Sequence, residues 1–495
     1  MLTLSRREGG DMSLLGTEWD EKIFVEKWIK GGAGSAPILE PATGKELGRL
    51  GRASVSDVAA ATSVAKSAQV EWANLTFSDR AAVLRRAGQL FEEHAEEITE
   101  WNMRETGAIN PKGGLEVHIA AQECYEAASL ASHPTGEILR SELPRLSFSR
   151  RVPVGVVGVI APFNFPLILS IRSVAPALAL GNAVVVKPDP RTALSGGVVL
   201  ARIFEEAGLA PGVLSVLPGG ADVGEALVID PLVRVIAFTG STKAGRSVGS
   251  LGAQHLKRVH LELGGNSALI VMSDVDLEKA VSVGAFGSFM HQGQICMTTG
   301  RHLVDARIAD DYAKALAEHA EHLPVGDPMS GQVALGPLID ATQRDRVHQM
   351  VTDTVSAGAT LRAGGTFEEL FYRPTVLTDV PRNAPAYAEE VFGPVAPVVP
   401  FSSLDEAVAL ASDSPYGLSL GILSRDGLKA LELAYRIPSG AIHINDQTVA
   451  DEATIPFGGT GNSGNGSRMG GLANLEAYTE TQWVTAQSEL PEYPF

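Results

Sequence analysis

Cys296 is one of only two cysteines in 495 residues. It sits in FMHQGQICMTTGR, residues 289–301, among Gln292, Gln294, Thr298 and Thr299. Gly293 and Gly300 interrupt the helical pattern that precedes it. A thiol in a polar, glycine-bracketed turn is a poor core residue. It is a reasonable nucleophile if something lowers its pKa from about 8.5. The plainer alternative is a buried, inert cysteine, and Cys124, among small residues of a helical stretch, reads that way. Glu262 ends an apolar strand against Gly264 and Gly265. Desolvation there would raise its pKa toward that of a working base, or the carboxylate simply caps the following turn. A nucleophile and a carboxylate base together suggest two-step acyl chemistry.

Two further stretches could hold phosphate or sugar. Lys187 closes the strand-like run AVVVKP (183–188), either at a ligand edge or as a solvated strand exit. FTGSTKAGRS (238–247) reads as strand, turn and helix start, and such a start offers N–H groups and a positive dipole end to an anion. The same stretch imitates a phosphate-binding loop, but Arg246 stands where that motif needs lysine. No magnesium-binding Asp is evident at a neighbouring strand end, so an NTPase is not favoured.

The elements that must position these residues follow an α/β rhythm. Strands are expected at 154–161, 183–188, 214–218, 233–240 and 258–265, with helices at 167–180, 192–207, 221–228 and 241–251 between them. Apolar strands alternating with helices signal a parallel sheet covered on both faces, and such sheets bind ligands at their carboxyl edges. A second α/β succession runs from 267, with strands at 267–272, 302–308, 374–378, 395–400 and 441–445 and helices at 275–290 and 309–322. Before them come two short strands within 36–50 and helices at 54–72, 78–101 and 111–131, with Ser78 as N-cap of the second. Residues 139–151 read as a polar, extended excursion from the core. An alternating run near Tyr478–Thr485 could pair with it or with another subunit.

Net charge is −18. This argues against nucleic-acid and anionic-membrane partners, which reward clustered Lys and Arg. Two cysteines cannot build a disulfide framework, and a reducing, cytoplasmic setting fits best. The N-terminus lacks an apolar segment of the signal-peptide type, and Met12 is a candidate start. The apolar run 152–171 is long enough to raise the membrane question. Pro153, Pro162, Asn164 and Pro166 break it, so a buried strand, loop and helix start is expected instead. No metal site is expected.

Taken together, PFNFP (162–166), VVVKP (184–188), FTGST (238–242), ELGGN (262–266), GQICM (293–297), EEVFGP (389–394), YGLS (416–419), HIND (443–446) and PFGGTGNSG (456–464) resemble the aldehyde dehydrogenase superfamily, from about Glu40 to Trp483. Nine pieces in the family's order are specific where any one is weak. FNFPLILS, KPDPRT, ELGGNSALIV and FMHQGQICM look like the branch that oxidises benzaldehyde- and vanillin-type aldehydes. The resemblance implies an α/β fold: a Rossmann-like cofactor domain (1–138 and 156–265), a second α/β catalytic domain (266–475), and a small β oligomerisation arm (139–155 and 476–495) that makes a homodimer or homotetramer. It implies Cys296 as nucleophile, Asn164 with the Cys296 N–H as oxyanion donors, and Glu262 as the base that hydrolyses a thioester. For NAD or NADP it implies Lys187 and Glu390 at the riboses, Ser241 at the pyrophosphate with Gly240 and Gly245 of its turn, and Phe392 and Phe163 beside the nicotinamide.

Some positions depart from the family pattern. Pro190 stands where many NAD-specific members carry an acidic residue, and Arg191 follows, so NADP is expected to be tolerated. Gly461 replaces a common Lys and His291 a common Asn. Phe163, Phe165, Leu169 and Phe457 are candidates for an apolar funnel that suits a planar ring, or for ordinary packing. Arg172 is near enough in sequence to reach a ring substituent. Aliphatic or semialdehyde substrates are the near alternative, and a non-catalytic binding or structural relative is the distant one. CoA-acylating chemistry is less favoured, because it does not need Glu262.

Overall fold

Val, Ile and Ala fill the strands Val156–Ile160 and Ala183–Lys187 so completely that only Lys187 escapes burial. Such runs need cover on both faces, and a parallel sheet wrapped by helices supplies it. The chain, seen in a computed structural model that describes residues 13–495, builds two seven-stranded sheets and a smaller three-stranded one. The candidate start at Met12 lies outside the described residues.

The first sheet runs Arg258–Glu262, Val233–Thr239, Val156–Ile160, Ala183–Lys187 and Leu214–Val216, all parallel. Lys22–Phe24 and Trp28–Lys30 extend it antiparallel. These last two strands are three residues each, too short to show a period of two in sequence. From Val156–Ile160 the chain winds first toward Leu214–Val216 and then returns to lay Val233–Thr239 on the opposite side. Strand order therefore reverses between Val156–Ile160 and Val233–Thr239, and a crevice opens at their carboxyl ends.

The second sheet orders Thr360–Ala363, Thr375–Thr378, Val395–Phe401, Thr299–Asp305, Ser267–Val271, Ser419–Leu423 and Ala441–Ile444, parallel except for its first pair. Helix Leu277–Phe289 is started by Asp276, whose side chain accepts from Lys279 N–H. Helix Ala341–Ser356, not anticipated from its mixed polar sequence, is started in the same way by Asp340.

Three expectations need correction. The helix expected over 78–101 is two helices, Phe77–Glu93 and Ala95–Thr106, broken at His94. Its N-cap is Thr76, whose hydroxyl accepts from Asp79 N–H, and Ser78 lies inside. The excursion over 139–151 is extended only in part. Leu146–Pro153 pairs antiparallel along its whole length with Thr479–Ala486, and Gly136–Ile138 adds a third strand. Cys124 is fully buried in the core of the first unit. Among the described residues no helix is long and apolar enough to cross a membrane.

Candidate active site

The crevice at the strand-order reversal is a cleft of about 330 Å³, in the range that holds a small ligand. Ile160, Ala161 and Pro162 follow one strand into it, and Phe238, Thr239 and Gly240 follow the other. Lys187, Ser241, Glu390 and Phe392 line it, together with Phe163, Asn164, Leu169, Arg191 and Cys296. Residues separated by more than 200 positions thus share one wall. Glu262, Gly245, Phe165 and Phe457, singled out with them, do not line this cleft.

The turn carrying Cys296 is held from several sides. His291, Gln292 and Gly293 all take left-handed backbone, with φ of 47°, 57° and 69°. Two of the three have side chains, so the turn is costly and needs support. Gln292 Nε2 donates to the carbonyls of Gly107 and Pro337, at 2.9 and 2.8 Å. Gln294 Oε1 accepts from Ile339 N–H. Asn164 Nδ2 donates 2.9 Å to the Gln294 carbonyl, which fixes the amide beside the cysteine turn and leaves its second N–H uncommitted to that bond. Gly265 permits this closeness, since a Cβ there would lie 2.3 Å from the Cys296 carbonyl oxygen.

On the other side of Cys296 the surroundings are apolar. Ile295, Met297, Leu418 and Phe457 form a small buried cluster against which Phe165, Cys296, Val449 and Ile455 pack. Glu262, at the end of Arg258–Glu262, is buried, with no side-chain partner and at most a weak contact from the Gly459 backbone N–H. A Cβ on Gly458 would come within 2.8 Å of its Oε1. Burial pushes the Glu262 carboxyl well above its usual range, against the pull of Arg468 and Arg172. Burial also pushes the Cys296 thiol up to about 12, with the Glu390, Glu262 and Asp451 charges adding to it. The Glu262 charge is thus close enough to be felt by the sulfur. Arg172 lies with its guanidinium 5.2 Å from the Phe457 ring centre, held by Glu123 and Asp451, with Nη1 unpartnered.

The cleft residues fit a dinucleotide. Ser241 Oγ caps helix Thr242–Gln254, accepting from Ala244 N–H, so the helix presents its amino end beside the cleft. Gly245 serves packing: a Cβ there would strike Leu263 Cδ2 at 2.2 Å. Gly264 lines the cleft, and a Cβ there would strike the Glu390 carboxylate at 2.3 Å. Burial lifts Glu390 to about 7, although the Gly265 N–H donates to it at 2.9 Å. Burial likewise lowers Lys187.

Arg191 differs from what its sequence position suggested. It lines the cleft, but its guanidinium is engaged by Asp189 at 2.8 Å and Asp340 at 2.7 Å, and it stacks 4.2 Å from the Phe163 ring centre. Phe163 meets Phe392 edge to face at 5.8 Å. Gln343, in the helix that Asp340 caps, donates to the Phe392 carbonyl at 2.7 Å. These contacts close a ring at the cleft mouth. Against the push of burial, Arg191 holds the Asp189 carboxyl below its usual range. Asp189, Gln343 and Arg346 also line the cleft and were not singled out from the sequence. Asp189 was legible there as the acidic residue two places after Lys187.

A cysteine turn, a fixed amide, a desolvated carboxylate and a crevice at a strand-order reversal fit an oxidoreductase site. The sequence matches the aldehyde dehydrogenase family over residues 28–484, and the chain belongs to that family. It is 64% identical to a vanillin dehydrogenase of an Amycolatopsis species, over 98% of this chain and 100% of that one. It is 49% identical to a benzaldehyde dehydrogenase (NAD(+)) of Pseudomonas putida, over 96% of this chain and 98% of that one. A solved salicylaldehyde dehydrogenase from Pseudomonas putida G7, complexed with salicylaldehyde, superimposes with a TM-score of 0.92 at 35% identity, over 96% of this chain and 99% of that one.

Proposed function

We propose that the protein oxidises aromatic aldehydes of the benzaldehyde and vanillin type to their acids, through a thiohemiacetal and a thioester on Cys296. The observation that supports this reading is that Cys296 and Asn164 line one cleft, with the Asn164 amide bonded into the cysteine turn, while the sulfur also packs against an apolar cluster and lies within reach of the Glu262 charge. The vanillin, benzaldehyde and salicylaldehyde dehydrogenases that the chain resembles support the substrate class.

A thiol held near 12 does not ionise unaided at neutral pH, so attack requires a base. Glu262, itself lifted by burial, is the group suited to take that proton as sulfur bonds to the aldehyde carbon. The Asn164 N–H and the Cys296 backbone N–H stabilise the oxyanion, and loss of one such donor costs roughly 10²–10³ in rate. Bound NAD(P) supplies the hydride acceptor. Glu262 releases the thiol proton to solvent and, ionised again, takes a proton from water as the water oxygen bonds to the thioester carbon; the sulfur leaves as thiolate and recovers a proton from Glu262, restoring Cys296. Lys187 and Glu390 hold the riboses, Ser241, Gly240 and the helix start the pyrophosphate. Phe165, Leu169 and Phe457 receive the ring.

NAD is the preferred nucleotide in this reading. Asp189 lies in the cleft next but one to Lys187, and Arg191 is already committed to two carboxylates. A 2′-phosphate would meet the first and have to free the second, a mismatch worth about 10–100-fold. The arm carries exposed Ile138, Leu143, Leu146 and Trp483, which supports a homodimer or homotetramer. A cytoplasmic setting accompanies a free catalytic thiol.

The test is a steady-state panel of benzaldehyde, vanillin and hexanal with both nucleotides, on wild type and Cys296→Ala. Aromatic preference with NAD leading supports the reading. Hexanal matching the aromatics overturns the substrate class, NADP equalling NAD overturns the nucleotide preference, and an active Cys296→Ala overturns the thiol mechanism.

A further inference from the structure

Helix Asn110–Leu130 carries Lys112 and Glu116 one turn apart, both fully buried. Neither touches the cleft. Glu116 Oε2 accepts from the backbone N–H groups of Leu167 and Ile168, at 3.0 and 3.2 Å. Its Oε1 accepts from Asn102 Nδ2 at 2.8 Å and from Lys112 Nζ. Lys112 Nζ also lies 4.5 Å from the centre of the Phe165 ring.

Leu167 and Ile168 belong to the first turn of helix Pro166–Ala179. That helix has no capping side chain of its own, and Pro166 opens it without an N–H. Glu116, from another helix, is therefore its cap. The two residues before the helix are Asn164 and Phe165. The Asn164 turn is thus fixed behind by Glu116, beneath by Lys112 under Phe165, and in front by the Gln294 carbonyl. A buried ion pair is a poor choice for stability alone, since well-packed apolar residues often do as well or better. What it adds here is direction: one carboxylate satisfies two backbone donors, one amide and one ammonium.

We propose that Glu116 and Lys112 are positioning residues that set the Asn164 amide against the reacting carbonyl. The inference rests on the reading of Asn164 as an oxyanion donor. Lateral shifts of an ångström at a reacting centre cost about a hundredfold, so a slackened helix start should register in turnover before it registers in nucleotide binding.

The test is a double-mutant cycle of Glu116→Gln and Asn164→Ala, read as kcat/KM for benzaldehyde, with NADH affinity and melting temperature measured on each protein. Glu116→Gln is expected to lower kcat/KM by about a hundredfold with NADH affinity unchanged. In the Asn164→Ala background it is expected to cost no more than about threefold, because the group it positions is gone. Equal factors in both backgrounds overturn the proposal, as does an unchanged kcat/KM in Glu116→Gln. An Asn164→Ala protein as active as wild type overturns the oxyanion reading itself and removes the target of the positioning pair. Should Glu116→Gln fail to accumulate folded, Lys112→Met takes its place in the same cycle with the same outcomes.

Discussion

Cys296 has two unlike sides. Toward the strand-order reversal lie Lys187, Ser241, Glu390, Arg191 and Phe392, in a cleft open to solvent. Toward the opposite side lie Phe165, Phe457 and Ile295, with Glu262 buried and without a side-chain partner. The first side recognises by charge, helix dipole and backbone. The second works by removing water. Burial, with the Glu390 charge on the cleft side adding to it, pushes the thiol up to about 12, and burial lifts the Glu262 carboxyl well above its usual range. The difference teaches that binding and reactivity are set by different physics a few residues apart, and substitutions should separate them.

The largest separation is expected from Cys296→Ala. It should reduce turnover by about 10⁵-fold or more while NADH still quenches or enhances fluorescence with an affinity near that of wild type. A large loss of nucleotide affinity would break the distinction between the two sides. Next is Glu262→Gln, expected to lower kcat by about 10²–10⁴. As the proposed base, Glu262 works only when ionised, and burial raises its pKa, so wild-type kcat should climb from acid pH. The variant should lack that limb, and an unchanged pH profile would remove Glu262 from the base role.

Much of this was legible in the chain before any coordinates. The five parallel strands of the first sheet, the turn around Cys296 and the Gly-Ser-Thr helix start announced themselves, because long apolar runs and glycine punctuation are local signals. The helix break at His94 and the two three-residue antiparallel strands were not, since neither leaves a period to read. Asp189 lies between Lys187 and Pro190, and only the folded chain shows that it lines the cleft. The pairing of Arg191 with Asp340 joins residues 149 positions apart, and nothing local encodes it. Lys112, Glu116 and Glu123 fall on one helix face at spacings of four and seven. A charged stripe among alanines was the available sign that this helix does more than pack.

Smaller effects sharpen the cleft side. Asp340→Asn should raise KM for the nucleotide by about two- to fivefold with little change in kcat. The modest size reflects how exposed the ion pair is: side-chain exposure is 40% for Arg191 and 33% for Asp340. A hundredfold effect would mean that the ring does more than brace the cleft wall. The smallest is a stability effect. Burial lifts Glu390 from 4.5 to about 7, so the nucleotide-free fold favours its neutral form. That contribution is full below pH 4.5 and is lost as pH rises through about 7. Melting temperature should therefore fall across this window in wild type and fall less in Glu390→Gln. Parallel curves would indicate that the carboxyl is not desolvated.

The ring of Arg191, Asp340, Gln343, Phe392 and Phe163 has one ionic link, and that link is partly exposed to water. Dissolved ions weaken such a link while leaving aromatic contacts intact. Electrolyte concentration is therefore expected to change how fast bound nucleotide is exchanged, with much less effect on the proposed chemistry at the sulfur.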